Sequence, residues 1–383
     1  MNDKTKRTIG LLGCFQVASV WFGSHVGGGF ASGNQTMQYY VNRGPYAPFL
    51  AVIAVIIIGL TYRAAWMTAK ENGTYEYRGW ALKEYAPDKR VMPILFEVCW
   101  FFLCLVAIAT SVAGAASLFE EYGVPYLGGV AIMAVIITLL AIFGAGLLRK
   151  ASTVMTIVMA VLMLVIYVTA IVNAPADAIS TNTAAIAAEA QPLHIQLWNT
   201  LKYAGFQSIL VGNLVAVCQP LKSRAEVNTA TGIGIVLNGG MIALSIMAMI
   251  AWLPTAQGTT LPIFTIIDQN LGLGWMKIAY SVVLVLAFIS TATGVTFGSV
   301  ARFGPLLGKN ASNPFLRDAV VSVIFVAIGS IMSLAGLTSL VSVGYGWCGV
   351  FAIPIIIIPC IVLNIIRKPK PFAEEGAEKA ESK

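Results

Sequence analysis

Long apolar segments separated by short polar stretches recur along nearly the whole chain. Crossing a membrane as a helix takes about 20 mostly apolar residues, and ten segments are long enough. They lie at 9–41, 46–69, 91–119, 125–147, 151–173, 197–219, 226–253, 273–300, 316–334 and 337–366. The pattern predicts an all-α integral membrane protein of ten transmembrane helices, followed by a disordered cytoplasmic tail at 367–383.

The composition excludes a water-soluble globule. Hydrophobic residues make up 58% of the chain and charged residues 11%, whereas soluble proteins carry about 25% charged residues. The six cysteines lie in apolar segments, without the pairing or spacing of metal ligands. A secreted disulfide scaffold and a cysteine-rich metal site are therefore excluded as well.

The basic residues are distributed unevenly between the loops. With ten spans, successive loops alternate between two sides, and all 24 Lys and Arg residues except Arg43, Lys202 and Lys277 fall on one of them. Cytoplasmic loops are rich in these residues, so both termini are predicted to be cytoplasmic in a bacterial cytoplasmic (inner) membrane. The net charge of +7 then reflects topology and the lipid bilayer, and no nucleic-acid partner is expected.

The first span has a glycine-rich interruption near its middle. Residues 23–29 read GSHVGGG, and each glycine in a helix interior costs about 1 kcal/mol relative to alanine. Backbone groups freed by a break are tolerated only where they face protein or a cavity. The segment predicts an unwound stretch at mid-membrane; close helix packing through the Gly23/Gly27 pair is the alternative.

A second interruption falls in the sixth span, WNTLKYAGFQSILVGNLVAV. Its polar residues could instead bond across helices, but its position favours a break. Spans 1 and 6 open two halves of five spans, residues 1–174 and 175–366, with opposite orientation. Broken helices at corresponding positions of inverted repeats indicate a transporter binding site.

The two breaks define the candidate substrate site. Unpaired N–H groups at the start of an outer half-helix suit a carboxylate, and unpaired C=O groups suit a cation. Aromatic side chains near the breaks would suit a quaternary ammonium group, so an amino acid, a betaine or a similar solute is expected. The candidate substrate-binding residues are Ser24, His25, Gly27, Gly28, Gly29, Phe30, Tyr203, Gly205, Phe206, Gln207 and Ser208.

Span 8 carries a group of oxygen ligands suited to an ion. Ala287 lies one turn before Ser290 and Thr291, so the Ala287 carbonyl and both hydroxyls can converge on one helix face. The alternative is that each hydroxyl bonds the carbonyl four residues earlier on its own helix.

These features together resemble the LeuT fold of the amino acid–polyamine–organocation superfamily, and residues 15–43 more narrowly resemble the YkvI-like bacterial membrane proteins. The resemblance implies a Na⁺ held by the carbonyls of Gly23 and Val26 together with the Ala287, Ser290 and Thr291 set. Some proton-coupled relatives use a lysine of span 5 instead, and span 5 here has none. Na⁺ is therefore the expected coupling ion, and no organic cofactor is expected.

The sequence thus predicts a sodium-coupled secondary active transporter, a symporter that moves a small carboxylate-bearing solute by alternating access. One alternative is a proton-coupled or uncoupled carrier that uses His25 or Glu97. Another is a membrane protein that senses a ligand without moving it. Enzyme activity is not expected, because the chain has no nucleophile–base pair, histidine-rich metal motif or phosphate loop.

Overall fold

A computed structural model describes residues 9–86, 88–143, 145–307 and 313–373. These residues are almost entirely helical. The α-helices are α1 (Gly10–His25), α2 (Gly28–Ala31), α3 (Asn34–Tyr39), α4 (Ala47–Asn72), α5 (Tyr77–Glu84), α6 (Val91–Glu120), α7 (Tyr126–Phe143), α8 (Ala145–Val172), α9 (Ala178–Ala188), α10 (Leu193–Ser208), α11 (Val211–Leu214), α12 (Arg224–Ala251), α13 (Leu253–Ala256), α14 (Pro262–Ile266), α15 (Gly274–Leu307), α16 (Pro314–Ser333), α17 (Leu337–Ser339), α18 (Tyr345–Ala352) and α19 (Ile358–Ile366). Short 3₁₀ turns occupy Val41–Arg43 and Val215–Cys218, and π turns occupy Ile267–Leu271, Leu340–Gly344 and Ile353–Ile357.

The prediction of an all-α membrane fold is confirmed. Eight helices of the described chain are long and apolar enough to cross a membrane, counting the run from α17 to α19 as one. A ninth forms if α10 is joined to the bent segment after it, which departs from the α10 axis by 42°. The first predicted span is divided among α1, α2 and α3, so the count of ten remains a prediction, as does the division into two repeats.

The break in span 1 is narrower than the predicted 23–29 segment. α1 continues through Gly23 to His25, only Val26 and Gly27 leave the helical path, and α2 begins at Gly28. The Gly27 N–H donates to the His25 carbonyl at 2.9 Å, and the regular ladder resumes where the Ala31 N–H donates to the Gly27 carbonyl at 2.8 Å. Two non-helical residues are enough to interrupt the ladder, so Gly23 and Gly28 stay helical.

The break in span 6 is supported by one face of α4. Tyr62 Oη donates to the Gln207 carbonyl at 2.6 Å, and Trp66 Nε1 donates to the Leu214 carbonyl at 3.0 Å. Lys70 Nζ donates to the carbonyl of Gln219 at 3.1 Å. These three donors lie on successive turns of α4. They bond carbonyls of the interrupted helix inside the bundle.

The predicted tail is partly ordered. Arg367 donates to the Ala86 carbonyl at 2.8 Å. The Phe372 ring is buried and lies 5.7 Å from Lys70 Nζ and 5.6 Å from the Arg224 guanidinium. The prediction of disorder is therefore wrong for residues 367–373, because cation–π contacts bury an aromatic side chain there. Residues 374–383 lie outside the described chain.

Candidate functional site

A cavity of about 970 Å³ lies beside both breaks. Its lining follows α1 from Leu12 to Gly27 and α15 from Ser290 to Ala301, and it includes Phe206 and Tyr345. Leu12 is 72% exposed, so the cavity is open at the end of the bundle where α1 begins. The volume lies within the range of small-molecule sites, roughly 300–1,000 Å³.

Aromatic side chains close the opposite end of the cavity. The Phe206 and Tyr345 rings stack with centroids 4.6 Å apart, and the Tyr345 and Thr110 hydroxyls lie 2.9 Å from each other. Tyr39 Oη donates to the Val341 carbonyl at 3.2 Å, in the π turn before Tyr345. These contacts join spans 1, 3, 6 and 10, so the structure is closed on the side away from the α1 N-terminus.

The cavity lining contains hydroxyl and amide groups but no charged side chain among the residues described. Gln35, Gln207 and Asn213 contribute amides, and α15 contributes hydroxyls. The remainder of the wall is mostly aliphatic and aromatic. Such a wall suits a solute of zero net charge, or an anion accompanied by a cation, because an unbalanced charge buried there would have no partner.

His25 lies at the end of α1 with both ring nitrogens occupied. Nδ1 lies 2.8 Å from Asn238 Oδ1, and Nε2 lies 2.8 Å from Tyr203 Oη. The Asn238 amide nitrogen donates to the Gly234 carbonyl at 2.7 Å, so its oxygen faces the histidine as an acceptor. Nδ1 must therefore carry a hydrogen, and in the neutral ring Nε2 accepts the Tyr203 hydroxyl.

The hydroxyls of α15 divide into two groups. Thr293, Thr296 and Ser299 each donate to the carbonyl four residues earlier, at 2.6, 2.6 and 2.9 Å. Ser290 and Thr291 line the cavity, and neither hydroxyl has a hydrogen-bond partner in the described chain. Back-bonding, the alternative raised for the cluster, therefore applies to Thr293 and not to the other two.

The Thr291 hydroxyl faces the break in span 1. A methyl group placed on Gly27 would lie 3.1 Å from Thr291 Oγ1, so the break approaches α15 closely. The helical donor to the Gly23 carbonyl would be the Gly27 N–H, which is instead bonded to His25. Val26 and Ala287 are buried beside this contact. Hydroxyl and carbonyl oxygens of the type that hard cations prefer are therefore brought together here.

Five of the predicted substrate-binding residues line the cavity: Ser24, His25, Gly27, Phe206 and Gln207. The other six are not part of the lining. Tyr203 is buried on His25, and Phe30 packs against the same imidazole at 5.5 Å. Ser208 donates to the Ala204 carbonyl at 2.7 Å.

The three remaining glycines of the predicted site are covered by other parts of the bundle. A methyl group on Gly28 would collide with the Phe288 ring, and one on Gly29 would lie 2.7 Å from the Gln35 amide nitrogen. A methyl group on Gly205 would collide with the Gly349 carbonyl. Gly205 thus permits close packing of α10 on α18.

Several cavity residues were not among the predicted site residues. Gln35, Asn213 and Tyr345 lie on the wall, as does Thr156 of α8. Gln35 and Asn213 are polar residues inside apolar segments, and that signal could have identified them. Thr156 and Tyr345 carry no such signal, because their side chains are ordinary in membrane helices.

Glu97 is joined to Arg302 by an ion pair between α6 and α15. The Arg302 guanidinium also lies 5.2 Å from the centre of the Tyr77 ring. Neither Glu97 nor Arg302 belongs to the cavity lining. Arg302 is brought alongside Glu97 by the packing of α15 on α6.

The chain is similar to several solved structures over nearly its whole length. MhsT in complex with L-phenylalanine superposes with a TM-score of 0.63 at 14% sequence identity, covering 94% of this chain and 97% of MhsT. A Na⁺-coupled sialic acid symporter in a substrate-bound outward-open state gives 0.60 at 10% identity, covering 93% and 90%. A manganese transporter from Eremococcus coleocola gives 0.60 at 14% identity, covering 96% and 83%.

The predicted LeuT fold is confirmed by these superpositions. No family model and no curated protein sequence matches the chain, so the narrower resemblance to YkvI-like proteins stays a prediction. At identities of 10–15% the likeness concerns the fold alone.

Proposed function

We propose that the chain is a sodium-coupled secondary active transporter of a small carboxylate-bearing solute, an amino acid or a derivative. The observation that carries the proposal is the pair of hydroxyls on Ser290 and Thr291. They lack hydrogen-bond partners in the described chain and line the cavity, and Thr291 lies against the interruption of span 1. The lone pairs of both oxygens are therefore open to a cation in this position.

The solute site in this proposal is the cavity wall between Ser24 and Gly27 on one side and Phe206 and Gln207 on the other. Among the described residues, no charged side chain lines this wall. A carboxylate there would be balanced by the bound Na⁺, and an ammonium group by the dipoles of amides and carbonyls. This favours zwitterions over polyamines or strongly cationic solutes.

Coupling follows from the position of the ion between span 1 and α15. With Na⁺ bound, α1 would be held against α15 and the cavity closed at the end that is open here. With Na⁺ released, α1 would be free to separate from α15. Alternating access would then arise from movement of the two broken spans and their neighbours against the remaining spans.

We also propose that the chain is a YkvI-like protein and that it lies in the bacterial inner membrane. The proton-coupled alternative through His25 is less favoured, because both ring nitrogens are already hydrogen-bonded to protein. Uptake into proteoliposomes in sodium-free buffer under an imposed pH gradient separates proton coupling from sodium coupling. Binding without uptake under either gradient would instead indicate a ligand sensor.

Sodium binding can be tested before the solute is known. Purified protein should unfold at a higher temperature in NaCl than in choline chloride of equal ionic strength, because an ion that binds only the folded protein stabilises it. Ser290→Ala and Thr291→Val should abolish most of the difference. Thr293→Val is the matched control, since its hydroxyl bonds the Ile289 carbonyl in the same cavity. A wild-type protein indifferent to sodium would contradict the proposal.

A further inference from the structure

Span 5 also reaches the interruption of span 1, through a side chain that none of the predictions used. A methyl group on Gly23 would lie 2.5 Å from Thr156 Oγ1 and 3.0 Å from its Cγ2. The Thr156 side chain therefore rests directly on the Gly23 backbone, and only glycine leaves room for it. The position of Gly23 in α1 is thus tied to a hydroxyl of α8.

Thr156 and Thr291 approach the end of α1 from different helices. Thr156 of α8 lies over Gly23, and Thr291 of α15 lies over Gly27. These four residues and Ser290 all line one cavity. The N–H that would bond the Gly23 carbonyl in a continuous helix is directed to His25. Two threonine hydroxyls, from α8 and α15, thus lie against the same short stretch of backbone, next to a carbonyl without its helical donor.

We propose that Thr156 Oγ1 is a further ligand of the coupling cation, which makes the ion site a junction of spans 1, 5 and 8. The inference rests on the proposed sodium coupling and adds a ligand from a third helix. Hard cations gain from each added oxygen ligand, and a threonine hydroxyl can accept a cation on one lone pair while donating its hydrogen elsewhere.

The junction assigns a mechanical role to the ion. Sodium would hold the end of α1 against α8 and α15 together, so its release would free α1 from both helices in one step. Thr156 and Ser290 both line the cavity beside α1. The side chains on α8 and α15 would then set the affinity for sodium, whereas Gln207 and its neighbours would face the solute.

The test is a sodium titration of purified variants followed by thermal unfolding. Thr156→Val removes the hydroxyl and keeps the shape, and Thr156→Ser keeps the hydroxyl. The valine variant should need about tenfold more sodium for half-maximal stabilisation, a change of about 1.4 kcal/mol. The serine variant should remain within about threefold of wild type, close to 0.7 kcal/mol. Thr293→Val should titrate like wild type. Thr156→Ala gives the same comparison if the valine variant cannot be purified.

The outcomes separate the two proposals. If Ser290→Ala weakens the sodium response while Thr156→Val and Thr156→Ala titrate like wild type, the junction is overturned and sodium coupling stands. If wild type does not respond to sodium, both proposals fall. A serine variant as weak as the valine variant would also overturn the inference, because the methyl packing rather than the hydroxyl would then be responsible.

Discussion

His25 is a side chain with both ring nitrogens hydrogen-bonded, placed where three spans meet. Its partners come from α10 and α12, so the imidazole joins spans 1, 6 and 7 beside the interruption. Asn238, Tyr203 and His25 are all buried, and a buried polar group that loses its partner costs about 1–3 kcal/mol. The histidine therefore stabilises the broken helices relative to one another.

Tyr203→Phe should lower the unfolding temperature by several degrees, because His25 Nε2 would be left without a donor. The loss should correspond to about 1–3 kcal/mol, and the response to sodium should remain. Tyr40→Phe is a close control, since its ring lies 5.2 Å from the Tyr203 ring and its buried hydroxyl has no hydrogen-bond partner in the described chain. Equal losses in the two variants, measured by thermal unfolding in one detergent, would contradict the assigned role of the His25 bond.

The residues of the proposed ion site differ in how far the sequence could predict them. Ser290 and Thr291 were predicted from helical spacing and from the family resemblance, without knowledge of which hydroxyls would bond their own helix. That choice depends on side-chain rotamers and on what faces each hydroxyl, as Thr293 shows by bonding Ile289 one turn away. Thr156 could not be selected, because the contact between α8 and Gly23 is set by helix packing.

At the scale of elements, glycines serve two different purposes in the broken spans. In span 1 the interruption falls at Val26 and Gly27, within the predicted glycine cluster. In span 6 the chain bends after Ser208, three residues beyond Gly205. Sequence reasoning found both interruptions from glycine and polar residues, but it could not separate glycines at a break from glycines at a helix contact. A helix contact depends on the partner surface, which for Gly205 is the Gly349 backbone.

Gly205→Ala should therefore be strongly destabilising, since its methyl group would push α10 away from α18. Overpacking of this kind costs about 1–3 kcal/mol and should lower the unfolding temperature. Gly232→Ala in α12 is the matched control, because a methyl group added there would have no neighbouring atom within 4 Å. It should stabilise the helix by up to about 1 kcal/mol. Similar unfolding temperatures for both variants would show that the α10–α18 contact can adjust.

At the scale of the whole molecule, polar contacts connect loops that the charge pattern assigned to the same side. Glu71 pairs with Arg224, and Arg367 donates to the Ala86 carbonyl, all on the predicted cytoplasmic side. On the other side Lys277 pairs with Asp268 at 2.6 Å. The sequence therefore predicted which loops share a face, because alternation of spans fixes it. Which face is cytoplasmic remains a prediction from the positive-inside rule.

The conformational state could not be predicted, because a chain that works by the proposed alternating access must adopt both an inward-open and an outward-open arrangement. The structure leaves the cavity open beside the N-terminal half of α1 and closes it at the Phe206–Tyr345 stack. If the basic face is cytoplasmic, this arrangement is inward-open. An inward-open arrangement predicts that solvent reaches the cavity residues from the cytoplasmic side of the membrane and not from the other side.

Labelling of single introduced cysteines can test from which side of the membrane the cavity is accessible, because all six native cysteines are buried. Gln16→Cys on the cavity wall should react with a membrane-impermeant thiol reagent in inside-out vesicles and much less in right-side-out vesicles. Ser180→Cys on the exposed surface of α9 should show the opposite preference. Sodium should slow labelling of Gln16→Cys several-fold, because it would hold α1 against α8 and α15, and should leave Ser180→Cys unchanged. Labelling of Gln16→Cys that is equally fast from both sides would contradict a cavity closed by the aromatic stack. If sodium does not change the labelling rate, sodium binding does not close the cavity, and the proposed coupling would lack the movement of α1 on which it depends.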